Sequence, residues 1–204
     1  MFNTKRLVFL GDKNVGKTSL ISRLRNCEPP KEHVDTLNIL KSKKKIKIKG
    51  KKFRFYDTPG SSDIVNTYPP KFSKTTCFIL IYDISEKTIN IDNIIKWTNV
   101  IKKISKINKP GFILVGNKLD ILQKRIQKKI QKKIHKKMGL GENIEKKKSE
   151  IIKKFETEGL NNNFEYDFCE ISVKNKTNIE ELIEKIFSLL VQIKISNKNY
   201  CFGA

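Results

Sequence analysis

Apolar residues in this chain recur with two periods. Short unbroken runs appear at residues 6–10 (RLVFL), 77–82 (CFILIY) and 112–115 (FILV), with a more mixed run at 164–171. Runs this short, rich in β-branched and aromatic side chains, are the pattern of strands buried on both faces of a parallel sheet. Between them the apolar positions open out to the helical spacing of three or four residues. Leu20, Ile21 and Leu24 mark a helix over 17–25; Ile91, Ile94, Ile95, Ile101 and Ile104 mark a second over 91–104; a third covers 179–193. Residues 39–49 and 51–56 predict two more strands about a turn at Gly50. There, lysines alternating with Ile46 and Ile48 describe an edge strand that keeps one face in water. Six strands alternating with helices predict an α/β domain with a mostly parallel sheet flanked by helices.

The first strand leads directly into Gly11-Asp12-Lys13-Asn14-Val15-Gly16-Lys17-Thr18, a match to G-x-x-x-x-G-K-[ST], and a helix follows. In that setting the loop wraps phosphate oxygens with its backbone N–H groups, aided by the positive end of the helix. Lys17 is the expected contact to the β- and γ-phosphates, Thr18 the expected Mg²⁺ ligand, and Ser19 extends the binding set. Asp57-Thr58-Pro59-Gly60 fits D-x-x-G, with Asp57 expected at Mg²⁺ and the Gly60 N–H at the γ-phosphate.

Asn117-Lys118-Leu119-Asp120 supplies what is needed to read a base. Asp120 offers two acceptor oxygens to the N–H groups on guanine's pairing edge. Adenine would leave that carboxylate unpaired, at a cost of about 1–3 kcal/mol. Lys118 can lie along the base, Asn117 can tie this loop to the phosphate loop, and Ser172-Val173-Lys174 can present backbone N–H groups to the guanine O6. Each motif falls beyond the C-terminal end of a strand, where α/β sheets hold ligands. Phosphate grip and base reading together specify GTP and GDP, with Mg²⁺.

Composition narrows the partners. The net charge is +22, yet only five of the 43 basic residues are arginine (Arg6, Arg23, Arg25, Arg54, Arg125). Readers of nucleic acid favour arginine's planar fork, so no nucleic-acid partner is expected; a solvated lysine coat and an anionic membrane surface remain open. Cys27, Cys77, Cys169 and Cys201 are scattered, without C-x-x-C spacing, as expected of a reduced, cytosolic protein. No apolar run approaches the roughly 18 residues of a membrane span, and no secretory leader is expected. A length of 204 residues suits one domain with a sizeable core.

With these motifs in this order, the chain resembles the Ras superfamily of small GTPases over roughly residues 5–193. Within it, LVFLGDKNVGKTSLI, YDIS, VGNKLD and the Lys96-Trp97 pair look most like the Rab family, particularly its Golgi-type subgroup. The resemblance implies a P-loop small G domain over 1–193, monomeric, that switches between GTP and GDP states and hydrolyses GTP. It implies vesicle-mediated transport at the cytosolic face of endomembranes, with effectors, exchange factors and GTPase-activating proteins as partners. It also implies Thr36 as the switch threonine that closes on Mg²⁺ and γ-phosphate, with 28–36 and 57–74 as the two switch segments.

Several positions depart from that pattern. The family's water-positioning Gln is replaced by Ser61, with Ser62 after it. A Ser hydroxyl is too short to orient the attacking water, so slow intrinsic hydrolysis is expected and no catalytic residue is assigned. A hydrolysis-deficient GTP-binding scaffold is the alternative. Lys13 puts a long cation where small residues are commonest, and Pro59 stiffens the start of the second switch segment. The aromatic residue that covers the guanine in the family aligns with Pro29, which predicts a missing stacking contact and faster exchange. Leu37-Asn38-Ile39-Leu40 stands where Rabs carry Ile-Gly-x-Asp-Phe.

A surplus of chain falls near 121–145. Ile126, Ile130, Ile134 and Met138 recur every four residues amid Lys124, Arg125, Lys128, Lys129, Lys132, Lys133, Lys136 and Lys137. Fifteen such residues predict a basic amphipathic helix about 22 Å long. Membrane-surface contact, a calmodulin-type target and a solvated expansion are all open for it. Residues 194–204 are expected to be a flexible tail, and Cys201-Phe202-Gly203-Ala204 sits in the frame of a C-a-a-X box, making Cys201 the candidate prenylation site.

Overall fold

The computed structural model describes residues 4–30, 36, 38–42, 45–61, 77–105, 110–131, 140–160 and 162–199. In chain order the elements are β1 (Lys5–Leu10), α1 (Lys17–Leu24), β2 (Leu40–Lys41), β3 (Ile46–Ile48), β4 (Lys51–Asp57), β5 (Cys77–Asp83), α2 (Ile91–Ile104), β6 (Gly111–Asn117), α3 (Leu119–Gln131), α4 (Leu140–Thr157), β7 (Glu165–Glu170) and α5 (Ile179–Asn199). The sheet runs β2-β4-β1-β5-β6-β7, with β3 also on β4. β1 pairs in parallel with β4 and β5, β5 with β6, and β6 with β7; β2 and β3 are antiparallel to β4.

The unbroken apolar runs form strands because both faces of the sheet are covered. Along β1, Leu7 and Phe9 point to a layer holding Leu20 and Leu24 of α1 with Leu182, Ile186 and Leu189 of α5. Val8 and Leu10 point to the opposite layer, with Trp97 and Ile101 of α2 and Ile151 and Phe155 of α4. Alternate residues on one strand thus bury against different helices, as the period-2 geometry of a strand dictates. The α2 helix forms over the residues its periodicity predicts, and the Asn90 side chain caps it by accepting from the Asn93 N–H at 3.1 Å.

The sheet holds seven strands where six were expected, because the single strand predicted over 39–49 is divided. Leu40 and Lys41 pair with Asp57 and Tyr56, whereas Ile46 pairs with Phe53. The 40–48 side therefore carries two residues more than β4 does between the paired positions. Ser42 marks the break: its Oγ accepts the Phe55 N–H at 3.1 Å, taking a place a ladder carbonyl would otherwise fill. Lys49 (φ 44°) and Gly50 (φ 78°) close the hairpin with two left-handed residues, the conformation of a two-residue turn that matches strand twist.

Two further differences lie on the helices. The C-terminal helix predicted over 179–193 continues to Asn199. The surplus segment contributes α3 up to Gln131 and the start of α4; Ile134 and Met138 lie outside the described residues, as do Lys132, Lys133, Lys136 and Lys137. Where it is described, this segment is fastened to the domain. Ile126 packs against the core and Arg125 Nη1 donates to the Ser85 carbonyl; just beyond the segment, on α4, Lys147 Nζ donates to the carbonyls of Ile84 at 2.7 Å and Glu86 at 2.6 Å. Burial pushes the Lys147 ammonium below its ordinary value. No described helix is long and apolar enough to cross a membrane.

Candidate functional site

The C-terminal ends of β1, β4, β6 and β7 deliver the phosphate loop, D-x-x-G, Asn117–Asp120 and Ser172–Lys174 to one edge of the sheet. A cleft of about 1130 Å³ opens there. Lys13, Asn14, Gly16, Lys17, Thr18 and Ser19 line one end with Thr36, Pro59, Gly60 and Ser61; Asn117, Lys118, Asp120, Val173 and Lys174 line the other. Thirteen of the expected ligand contacts therefore share one cavity. Gly11, Asp12, Val15, Asp57 and Ser172 stand behind its wall and act on the residues that form it.

The phosphate-loop end is organised by α1. Gly16 enters the helix at φ 97°, and a Cβ there would meet Asn117 Nδ2 at 2.4 Å, so only glycine fits. Lys17 is buried, its Nζ donating to the carbonyls of Gly11 at 2.9 Å and Asp12 at 2.7 Å. Thr18 Oγ1 donates to Asp57 Oδ2 at 2.6 Å and lies 3.2 Å from Thr36 Oγ1. Thr18 thus touches both of the other expected metal-ligating side chains. Burial pushes the Asp57 carboxyl above its ordinary value, against the opposing Thr18 hydrogen bond and Lys17 charge. Its second oxygen, Oδ1, is buried and has no hydrogen-bond partner among the described residues. An all-oxygen set with one orphaned carboxylate oxygen is the donor chemistry of a hard divalent cation.

Asp12 does not present its side chain to the cleft. Its carboxylate accepts from Trp97 Nε1 at 2.9 Å and Asn93 Nδ2 at 3.0 Å, strapping the phosphate loop to α2. Sequence reading placed Trp97 only as a family trait and passed over Asn93, since nothing local signals a contact across the sheet.

At the other end Asn117 is the bolt. Its Nδ2 donates to the Val15 carbonyl at 2.9 Å, and its Oδ1 accepts the Val173 N–H at 3.1 Å. Ser172 Oγ donates to Asp120 Oδ1 at 2.7 Å and accepts from the Asn175 N–H at 3.1 Å, which holds the carboxylate in place. Lys118 (φ 70°) pairs with Asp83 Oδ2 at 2.8 Å. Burial opposes ionisation of Asp83, but hydrogen bonds from Lys118 and Ser85 hold its carboxyl below the ordinary value.

Arg23 also lines this end, and only its residue type was noted from sequence. Pro29 and Pro30 line the cleft where the family's aromatic cover would stand.

Comparisons with known proteins agree with this geometry. A model of the Ras family matches residues 6–192. The chain is similar to the Ras-related protein RabV of Dictyostelium discoideum, 30% identical over 126 residues, which covers 60% of this chain and 53% of that protein. It is similar to Rab-15 of Homo sapiens, 31% identical over 122 residues (59% and 57% covered), and to Rab-12 of Mus musculus, 28% identical over 186 residues (89% and 65%). The chain spans between about half and two thirds of the length of these relatives.

Proposed function

The chain belongs to the Ras family, and from that premise we propose that it is a Rab-like switch that binds GTP and GDP with Mg²⁺, hydrolyses GTP slowly, and acts in vesicle-mediated transport. One observation carries this reading: a single cleft has Lys17 and Thr18 at one end and Asn117, Lys118 and Asp120 at the other. The first pair suits a polyphosphate; the second group suits a guanine.

In this reading Lys17 and the N–H groups of Asn14–Thr18 bind the phosphates. Thr18, Thr36 and Asp57 would hold Mg²⁺, which supplies neutralisation of charge on the phosphate oxygens when bound. Asp120 reads the guanine edge with its carboxylate oriented by Ser172, and Asn117 keeps the two ends in register. Gly60, on the wall beside Ser61, reports the γ-phosphate to the segment that follows it. Effectors would read the two switch segments; exchange factors and GTPase-activating proteins would set the cycle at the cytosolic face of endomembranes. The lysine coat, poor in arginine, gives no reason to add nucleic acid. Cys201, the proposed lipid attachment, lies outside the described residues; an unmodified, uncleaved C-terminus in the mass spectrum of the native protein would remove it.

Ser61 lines the cleft where the family's Gln would orient water. The test is single-turnover hydrolysis of labelled GTP with Mg²⁺, wild type beside Ser61→Gln. The variant is expected to cleave at least about tenfold faster, a barrier change of roughly 1.4 kcal/mol. Wild type cleaving as fast as the variant would overturn the slow-hydrolysis reading. Neither protein cleaving would favour the second reading, a hydrolysis-deficient scaffold recognised in its GTP-bound form.

A further inference from the structure

We propose that Arg23, Glu28 and Lys176 form an ionic clasp across the base end of the cleft, and that this clasp sets how long a guanine nucleotide stays bound; the inference rests on the nucleotide-binding reading above. Arg23 sits in the last turn of α1, its side chain 10% exposed. Its Nε donates to the Val173 carbonyl at 2.9 Å and its Nη2 to the Lys174 carbonyl at 3.3 Å. Those are the two residues of the base loop that line the cleft. The remaining arm, Nη1, reaches Glu28 Oε1 at 2.8 Å. Lys176, on the turn closed by the Ser172–Thr177 backbone pair, approaches the same oxygen from the other side at 3.6 Å.

Glu28 begins the segment that leaves α1 for Thr36, and the next two residues, Pro29 and Pro30, line the cleft. The clasp therefore joins three parts at the base end: the end of α1, the Val173–Lys174 loop, and Glu28, which leads directly into Pro29 and Pro30 on the cleft wall. The planar guanidinium holds its donors spread in a fixed fork toward two carbonyls and a carboxylate, which the single point of a lysine ammonium does not reproduce at position 23. Where an aromatic ring would close the base end by stacking, this chain has Pro29 and closes it with charge. That replaces the faster exchange expected from the missing ring with exchange that depends on ionic strength. Glu28 is 75% exposed, so salt screens its half of the clasp.

The experiment follows release of a fluorescent GDP analogue from the loaded full-length protein into excess GDP and Mg²⁺, at low and high salt. Wild type is expected to release slowly at low salt and faster at high salt. Arg23→Ala is expected to release about tenfold faster, the loss of charge-assisted hydrogen bonds, and to lose the salt dependence. Glu28→Gln alters one exposed group, so its fold is secure if Arg23→Ala unfolds; it is expected to release about threefold faster, with the salt slope flattened. If wild type loads normally and Glu28→Gln keeps the wild-type rate and salt slope, the clasp is wrong and the nucleotide reading stands. If wild type does not load guanine nucleotide at all, the reading itself falls and the clasp with it.

Discussion

The two ends of the cleft are built on opposite principles. At the base end the polar groups are bonded to one another: Asn117 to Val15 and Val173, Ser172 to Asp120, Lys118 to Asp83, Arg23 to Val173 and Lys174. At the phosphate end the Lys17 ammonium rests on the carbonyls of its own loop, and Asp57 keeps a buried oxygen without a partner among the described residues. The base end is thus shaped by the protein alone, and a base that fits it pays little reorganisation. The phosphate end contains a buried charge that costs stability until something compensates it. On the proposed function, specificity would belong to the end already bonded within the protein, and change of state to the end whose groups are left to be satisfied.

Asn117→Ala breaks this contrast most severely. It strips the Val15 carbonyl of a donor and the Val173 N–H of an acceptor, both in buried surroundings. The expected loss is about 2–5 kcal/mol of stability, measured by urea unfolding of nucleotide-free protein. The loss should appear without ligand, because the base end is assembled by the protein itself. A nucleotide-free variant that unfolds with wild type would mean the rigid end is held by other contacts.

Asp57→Asn should act in the opposite sense. The folded carboxyl titrates above its unfolded value, so the folded state holds a proton that the unfolded state has already lost within that window. Stability of the metal-free protein therefore falls as pH rises from the ordinary carboxylate range through the raised folded value, then levels off. Other carboxyls such as Asp83 contribute slopes of the opposite sign, so the quantity to measure is the difference in melting temperature between wild type and variant across pH. That difference should move in favour of Asp57→Asn as pH rises, while the variant loses the stabilisation that Mg²⁺ with GDP gives wild type. A flat difference curve would show that the Asp57 charge costs nothing where it is.

How much of this was legible depends on how contacts are spaced along the chain. Lys17, Thr18, Asn117 and Asp120 could be read because each lies in a short motif recognisable within a few residues of chain, even though Asn117 meets Val15 across 102 residues. The α2 helix was legible to its ends for the same reason, since period and cap are local. Arg23 was not, because no short motif marks it as a partner of Val173, 150 residues away; nor does one mark the Asp12–Trp97 contact, 85 residues apart. Helix α4, where it runs on beyond the surplus segment, shows the limit most plainly. Lys146, Lys147 and Lys148 are three identical letters, yet the first is exposed, the second is buried on two carbonyls, and the third pairs with Glu170 at 3.0 Å. No helix was expected over α4, and within it only the neighbouring loop decides which lysine is drawn in. The divided 39–49 strand is a similar case, since a hydroxyl that takes a ladder position leaves no mark on the alternation of charge.

The smallest expected effect sharpens the comparison from behind the phosphate loop. Asn93 is a half-buried residue of α2 whose Nδ2 gives Asp12 one hydrogen bond, while Trp97 supplies another to the second carboxylate oxygen. Replacing Asn93 with Ala removes one charge-assisted bond and gains helix propensity, which offsets part of it, so the net cost should stay below about 1 kcal/mol. In a chain of this size that is a drop of roughly 2–4 °C or less in melting temperature. The same change frees Asp12 to shift against Trp97, the sole tryptophan of the protein. Its emission should therefore differ from wild type before nucleotide is added and converge on wild type once the loop is filled. A loss as large as that of Asn117→Ala would mean that the strap to α2 fixes the phosphate loop as firmly as Asn117 fixes the base loop, and the division between a rigid end and a responsive end would no longer hold.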